Sequence, residues 1–307
     1  MKINPVLKNE TKLAVRSFKF TLMIFVYVFL LSAGVLFIFN INIEEAYFNG
    51  IRLESIVYIY IGMAIIQAIL LMFIVPALTS TAICGEREKQ TLEVLLSTKM
   101  STLSIITGKL LASISRVVIL IICTMPIYSI AFLIGGVNLG NILELSLFFI
   151  VTTIFVGSIG VCISTFIKTS KVATAVAYGV TLFIFVGIVI LAVIVAMISA
   201  SKNPSAQNLT APIFSYLSPT VGFLCLLAKQ LGETNAFGYY GRGFDSFMFD
   251  YGTFISIGVQ LVLSVVLVFI SAHKLNPLNN GFKFRRKKKN LNRKLHDYRI
   301  SIKGIGC

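Results

Sequence analysis

Six long apolar runs constrain the fold of this chain more than any other feature of its sequence. Each is long enough to cross a hydrocarbon core of about 30 Å, which takes about 20 helical residues. Because backbone polar groups inside a bilayer must be hydrogen-bonded within the protein, the runs predict an all-α, polytopic membrane protein with six transmembrane helices. The runs are residues 20–40, 56–83, 103–134, 142–167, 172–200 and 251–272.

The composition supports a membrane protein and argues against a soluble one. Hydrophobic residues make up 57% of the chain and charged residues 13%, whereas soluble domains carry about 25% charged residues. The net charge of +15 would suit nucleic acid only with a soluble basic face or a binding motif, and the sequence has neither. We therefore interpret the excess of Lys and Arg as a determinant of membrane orientation, and we predict no nucleic-acid partner.

The distribution of Lys and Arg predicts six spans with both termini in the cytoplasm. Under that topology most basic residues lie inside, as the positive-inside rule requires. A shorter apolar run at 211–228 contains Ser215, Ser218 and Pro219. If it also spanned, the basic C-terminal tail would lie outside, so we interpret it as a re-entrant or interfacial segment. The basic residues left on the outer side are Arg52, Lys202, Lys229 and Arg242.

Three regions follow from this topology. Residues 1–19 form an amphipathic interfacial helix, with Asn4 as N-cap and Pro5 at the first helical position. Residues 20–272 form the transmembrane domain, and residues 273–307 a basic cytoplasmic tail that suits anionic lipid. Glu10 falls on the apolar side of the first helix. It either remains neutral or snorkels there, or it pairs with a basic group of another cytoplasmic element.

A densely charged stretch, CGEREKQTLEVLLSTKMSTLSIITGKLL, interrupts the apolar sequence between the second and third spans. Its pattern predicts a helix over 85–96 that breaks at Ser97. On that helix Glu86, Gln90 and Glu93 share one face at spacings i, i+4 and i+7, and leucines occupy another. By pattern alone, the favoured interpretation is an ordinary solvated hairpin that merely stays out of the lipid.

The residues themselves resemble a known signature. GEREKQTLEVLLSTKMSTLSIITGKLLA is similar to the G-E-R-E-x-x-T-L-E-x-L-L-x-[ST]-P and G-K-[LIV]-[LIV] pattern of type-2 ATP-binding-cassette (ABC) export permeases. NPVLKNE at the N-terminus resembles the connector helix of those proteins. With the order of the six spans, the resemblance covers essentially the whole chain. It departs at Lys99 and Met100, where the family often has a proline.

The resemblance implies a division of labour between chains. Residues 85–97 would form a coupling helix that docks on a separate ABC ATPase subunit, and the IKTSK segment would make a second contact. ATP and Mg would be bound by that ATPase, and a second permease, identical or related, would complete the pathway in a bacterial-type plasma membrane. The implied ATPase-coupling residues are Glu86, Arg87, Glu88, Gln90, Glu93, Lys168 and Lys171.

Other functional classes are less well supported by the sequence. No G-x-x-x-x-G-K-[ST] phosphate loop occurs, so the chain is not expected to be an enzyme that hydrolyses ATP. A secondary transporter usually needs ionisable groups within its spans, and no acid lies deep in these runs. The five cysteines form no C-x-x-C pair, and no metal site or cofactor in this chain is predicted. A non-transporting regulatory or sensory subunit on the same scaffold remains the main alternative.

Two further features carry open alternatives. Arg116 lies well inside the third span, where it either snorkels toward the cytoplasm or forms a relay with Glu10 or Glu86. The outer segment 202–250 is predicted to contain a short helix over 219–231 and an interfacial aromatic cluster. That cluster acts either as an exit gate or as a lid that only packs the spans. Its members are Tyr239, Tyr240, Phe244, Phe247, Phe249 and Tyr251.

Overall fold

The computed structural model describes residues 17–49, 53–93, 101–133, 137–202, 213–231 and 246–275. Within these ranges the chain is helical apart from short turns, and no residue there is in a strand. Six of the described helical runs are long and apolar enough to span a membrane. The predicted all-α fold with six spans is therefore confirmed.

Most spans are single α-helices, and two short helices lie between spans. The single-helix spans are α1 Phe18–Asn49, α2 Leu53–Thr79, α4 Thr102–Leu133, α5 Leu139–Phe166 and α9 Ser246–Leu275. The fifth span is composite, with α6 Ser170–Leu182, a π-helical turn Phe183–Gly187 and α7 Ile188–Lys202. The short helices are α3 Cys84–Glu88 and α8 Pro219–Leu231, the latter preceded by a 3-10 turn at Ile213–Leu217.

Helix α5 lies at the centre of the bundle, where it packs against α2, α4, α6 and α9. Several of its hydroxyl groups are satisfied within the helix: Thr153 donates to the Phe149 carbonyl at 2.8 Å and Ser158 to the Ile154 carbonyl at 2.7 Å. Such back-bonding lets small polar residues lie in an apolar interior without losing a hydrogen bond. Small side chains in turn allow neighbouring helices to approach α5 closely.

Helices α2 and α5 approach each other closely at Gly160. A Cβ atom at this glycine would overlap the Thr79 hydroxyl and lie 3.3 Å from the Ser80 backbone nitrogen. Only glycine fits this position without a shift of one helix. The contact fixes the end of α2 beside the last turns of α5, which is where α3 begins.

The two ends of the bundle differ in charge. The α2–α4 and α5–α6 connections lie at one end, together with Arg87, Lys89, Lys168 and Lys171. Helix α9 also ends there, since Lys274 lies 5.4 Å from the ring centre of Phe166. We call this the basic end, and the opposite end, which carries the α4–α5 connection, the far end.

Helix α8 begins inside the bundle and runs to the far end. At its start, the Thr220 hydroxyl donates to the Phe185 carbonyl of the π turn at 2.8 Å. At its other end, Gln230 accepts a hydrogen bond from the Tyr60 hydroxyl at 2.8 Å and donates one to the Asn141 carbonyl at 3.0 Å. Helix α8 thus connects the fifth span to the far ends of α2 and α5.

The outer segment contains the predicted short helix, and its bounds are those of α8. Among the described residues, the helices of this segment are too short to form a seventh span. Of the predicted aromatic cluster, Tyr251 is exposed, while residues 239–245 lie outside the described residues and the side chains of Phe247 and Phe249 are not described. Residues 1–16 of the predicted interfacial helix and residues 276–307 of the predicted tail also lie outside the described residues. Helix α9 continues to Leu275, past the predicted end of the span at 272.

Candidate coupling site

The candidate site is α3 with the helix ends that surround it at the basic end. Helix α3 begins one turn after α2 ends, and its first N–H groups have no partner within so short a helix. The Ser164 hydroxyl of α5 accepts from the backbone N–H of Ile83 at 2.9 Å and of Cys84 at 3.0 Å. A side chain of α5 therefore caps the start of α3.

Arg87 caps the end of α5 in return. Its guanidinium donates to the Ile167 carbonyl at 3.1 Å and to the Thr165 carbonyl at 3.3 Å. The last carbonyls of a helix lack intrahelical partners and carry the negative end of the helix dipole, so a cation there is doubly favoured. Two opposed caps, Ser164 on α3 and Arg87 on α5, fasten these two helices to each other.

Glu88 caps the start of α6. Its carboxylate accepts from the Ser170 backbone N–H at 2.7 Å and from the Ser170 hydroxyl at 2.6 Å. These hydrogen bonds, from the hydroxyl first and the backbone second, lower the pKa of the exposed Glu88 carboxyl, and the nearby charge of Lys171 adds to the effect. A negative charge at a helix N-terminus is also favoured by the helix dipole.

Glu86 faces inward and pairs with Lys109 of α4. The Lys109 side chain is only 4% exposed, and that of Glu86 is 27% exposed. A lysine that is buried to this degree needs a hydrogen-bonded partner of opposite charge. The three consecutive residues Glu86, Arg87 and Glu88 thus fasten α3 to three different spans, α4, α5 and α6. We call this set of contacts the α3 clamp.

The structure differs from the predicted single helix over 85–96. Helix α3 ends at Glu88, and Gln90 has a φ of 58° in the left-handed region. Thr91 then folds back, because its backbone N–H donates to the Glu86 carbonyl at 3.0 Å. Helical conformation resumes at Leu92 and Glu93, and residues 94–100 lie outside the described residues. A left-handed residue of this kind is a common way to end a helix.

This break separates the acidic face that the sequence predicts. Glu86 turns into the bundle, whereas Gln90 and Glu93 are exposed. Lys168 and Lys171 are exposed on the neighbouring α5–α6 connection, as is Lys89. The predicted coupling residues therefore form two groups, an inner group within the α3 clamp and an exposed group around it.

The predicted relay residues lie elsewhere. Arg116 donates along its own helix, to the Ala112 carbonyl at 3.3 Å and the Ser113 hydroxyl at 3.1 Å, while Glu86 pairs with Lys109. Glu10 lies outside the described residues. Within the described part of the chain, no group of His, Cys, Asp and Glu is arranged to hold a metal ion.

The sequence analysis does not predict three contributions to the α3 clamp. These are the hydrogen bonds of Ser164 and Ser170 and the ion pair of Lys109. Ser170 carries a usable signal, since it is the first residue of a helix, where a backbone N–H without an intrahelical partner is expected. The position of Lys109 within an apolar run also indicates that this lysine has an acidic partner. Ser164 has no such signal, because it is one of many small residues on α5.

Comparison with known protein families shows the family to which this chain belongs. The family model described as ABC-2 family transporter protein matches residues 4–287. The chain belongs to the ABC-2 transporter family. The resemblance seen in the charged stretch is thereby confirmed over nearly the whole sequence, and an ABC-2 permease is a membrane transport component that is not itself catalytic. No curated protein matches the chain.

Proposed function

We propose that this ABC-2 protein is the permease subunit of an ATP-driven exporter and is coupled through α3 to a separate ATPase. The observation that carries the proposal is the α3 clamp: a five-residue helix is fastened to α4, α5 and α6 by Glu86, Arg87 and Glu88. A force applied to α3 by a partner would reach three spans at once. Rigid elements joined by hydrogen bonds and ion pairs are suited to carry such coupling.

The exposed group around the clamp is the proposed docking surface for the ATPase. It presents Lys89, Gln90 and Glu93 after α3, and Lys168 and Lys171 on the α5–α6 connection. Charges of both signs at the rim of an interface set orientation and partner choice more than affinity. ATP and Mg would be bound by the partner, and a second permease, identical or related, would complete the pathway.

The direct test is reconstitution of this chain with its ATPase in lipid vesicles. ATP hydrolysis that depends on the permease, with ATP-dependent movement of a solute, would support the proposal. Glu93→Lys is expected to abolish the permease-dependent hydrolysis, since it reverses an exposed charge at the docking surface. The control is Asn138→Lys, which adds a positive charge at the exposed start of α5 at the far end. Equal activity of the two variants would contradict docking at α3.

Two outcomes of the same experiment would replace the proposal. Permease-dependent hydrolysis without movement of any solute would identify a non-transporting regulatory subunit. Solute movement driven by an ion gradient without the ATPase would identify a secondary transporter. Export is distinguished from import by comparing inverted vesicles with right-side-out vesicles.

Orientation is tested by cysteine accessibility on whole cells. In a variant without native cysteines, a cysteine at Asn138 is expected to react with an impermeant reagent from outside. A cysteine at Lys171 is expected to react only after permeabilisation, because the basic end should face the cytoplasm of a bacterial-type cell. The reverse pattern would overturn the proposed orientation and the docking site with it.

A further inference from the structure

A cavity of about 300 Å³ lies within the bundle. Its walls are formed by α2, α5, the π turn and α8, so it is separate from the α3 clamp at the basic end. Representative wall residues are Ala68 and Met72 of α2, Phe149 and Val156 of α5, and Phe223 of α8. Nothing in the proposed coupling role uses this cavity.

The walls offer almost no polar group to a ligand. Three threonines line the cavity, but Thr153 donates to the Phe149 carbonyl and Thr220 to the Phe185 carbonyl, both at 2.8 Å. The Thr152 hydroxyl oxygen is buried beneath the surface, where it has no hydrogen-bond partner among the described residues. No charged side chain is among the residues that line the cavity. A ligand part that enters here must therefore be uncharged and without hydrogen-bonding atoms.

The cavity opens sideways, between α2 and the π turn. Its rim residues Ile65, Ile69 and Val186 are 40%, 50% and 47% exposed, respectively. They lie within the apolar lengths of two spans, where the surrounding solvent is the hydrocarbon of the bilayer. Access is thus from the membrane, and the molecules present at the opening are lipid chains.

The size of the cavity suits a single chain. An apolar protein cavity of about 150 Å³ stays dry and binds one benzene molecule, so this cavity accommodates roughly a dozen carbon atoms. If the cavity were empty, the side chains of its walls would have no dispersion contacts on the side that faces it. We propose that this cavity is a binding site for one acyl chain of a bilayer lipid, which enters between α2 and the π turn. The site does not depend on ATPase coupling, so it can be tested on the permease alone.

The test uses phosphatidylcholine vesicles in which a fraction of the lipid carries a photoreactive diazirine near the end of one acyl chain. After illumination, the labelled peptides are identified by mass spectrometry. We expect labelling of α5 and α8 peptides that line the cavity, and we expect it to saturate as the fraction of probe lipid rises. Labelling only of peptides on the outside of the bundle, or labelling that rises without saturation, would overturn the proposal.

Two variants make the result specific. Ala68→Phe fills the cavity from α2, and we expect it to reduce cavity labelling at least fivefold. Ala77→Phe is the matched control, because Ala77 is exposed on the same helix and does not line the cavity; its labelling should equal that of the unmodified chain. Unchanged cavity labelling in Ala68→Phe would overturn the site.

A third variant keeps the test decisive if Ala68→Phe fails to fold. Val186→Phe enlarges an exposed rim residue without touching the packed interior, and it should narrow the opening and give the same loss of cavity labelling. Folding of each variant is checked by its thermal midpoint in detergent. A folded Val186→Phe protein with full cavity labelling would show that chains do not enter between α2 and the π turn.

Discussion

The two short helices α3 and α8 both contact the central helix α5, yet they are held there by different chemistry. Helix α3 is held by charges, through the Glu86–Lys109 pair and the caps formed by Arg87 and Glu88. Helix α8 is held mainly by neutral hydrogen bonds at its ends and by apolar burial along its length. Its charged contacts are peripheral: Gln230 donates to the Glu144 carboxylate at 3.4 Å, and the Lys229 ammonium lies 5.2 Å from the ring centre of Phe254.

This difference follows from where each helix lies. Arg87 and Glu88 remain close to water, so their desolvation cost is limited and their hydrogen bonds are strong. Lys109 is buried, and its ion pair with Glu86 offsets the cost of its desolvation. Helix α8 begins among the spans, where an ionised group would be costly and neutral groups suffice. The comparison predicts that α3 is sensitive to charge and pH, whereas α8 is sensitive to shape and to single hydrogen bonds.

The largest effect is expected for Glu86→Lys. The change removes the partner of buried Lys109 and places two ammonium groups together. Leaving a buried charge uncompensated costs about 3–5 kcal/mol, which corresponds to a fall in thermal midpoint of about 10 °C. The chain has no Trp, but its described cysteines are buried or partly buried. Unfolding can therefore be followed with a thiol-reactive dye.

The control for this prediction is Glu93→Lys, the same charge change at an exposed position, which should leave the midpoint nearly unchanged. The double variant Glu86→Lys with Lys109→Glu restores an opposite pair and should recover part of the loss. If both single variants lowered the midpoint equally, the clamp would not depend on the Glu86–Lys109 pair.

A smaller effect is expected for Gly222→Ala on α8. A Cβ atom there would overlap the Ser256 side chain of α9, and overpacking of this kind costs about 1–3 kcal/mol. Gly179→Ala is the control, since a Cβ atom at Gly179 meets no atom within 4 Å. The midpoint should fall for Gly222→Ala alone and recover in part when Ser256→Gly is added. Equal midpoints for the two alanine variants would mean that α8 is not closely packed on α9.

A loss of about 1 kcal/mol is expected for Tyr60→Phe, the typical net value of one hydrogen bond. The change removes the donor to Gln230 at the far end of α8. Tyr128→Phe is the matched control, because the buried Tyr128 hydroxyl has no hydrogen-bond partner among the described residues. Denaturation curves should place Tyr60→Phe below the unmodified chain and Tyr128→Phe at or above it. The opposite order would refute the role of Gln230 in holding α8.

The smallest effect is expected for Glu88→Gln, and it should depend on pH. The pKa of Glu88 is lowered in the folded chain, so its ionised carboxylate stabilises the fold above its usual pKa of 4.5. That contribution is lost as pH falls through the lowered value. The midpoint gap between the unmodified chain and Glu88→Gln should therefore be present near pH 7 and close in acid. Circular dichroism of the helices measures both midpoints.

The control is Glu93→Gln, which should show no such gap at any pH, because Glu93 is exposed and does not cap α6. A gap that is independent of pH for Glu88→Gln would mean that the amide disturbs the site by shape and not by charge. Variants of Thr220 should show no comparable pH dependence, since a neutral hydrogen bond to the Phe185 carbonyl holds that end of α8.

The sequence predicts the spans well because a bilayer imposes length and composition directly. It also predicts the bounds of α8, because Pro219 marks the helix start and a glycine, Gly232, follows its end. It does not reveal which way a charged side chain turns on α3. The 3.6-residue period places Glu86 and Glu93 on one face only if the helix continues, and the left-handed turn at Gln90 ends it.

The π turn is also hidden in the sequence. From residue 182 to residue 198 the fifth span contains only apolar residues and one glycine, so it has no polar face whose interruption could reveal an added residue. The π turn is stabilised by a contact that is distant in sequence, since the Phe185 carbonyl accepts a hydrogen bond from the Thr220 hydroxyl of α8. Tertiary structure determines this feature, and local pattern does not.

The π turn has a consequence for the geometry of the fifth span. A π turn contains one more residue than an α turn, and one residue corresponds to about 100° of rotation about the helix axis. The faces of α6 and α7 are therefore offset in phase along what is otherwise one continuous rod. Residues of α7 that an unbroken helix would direct toward α5 are rotated toward other neighbours. The span thus presents one surface to its own bundle near the basic end and a differently oriented surface near the far end.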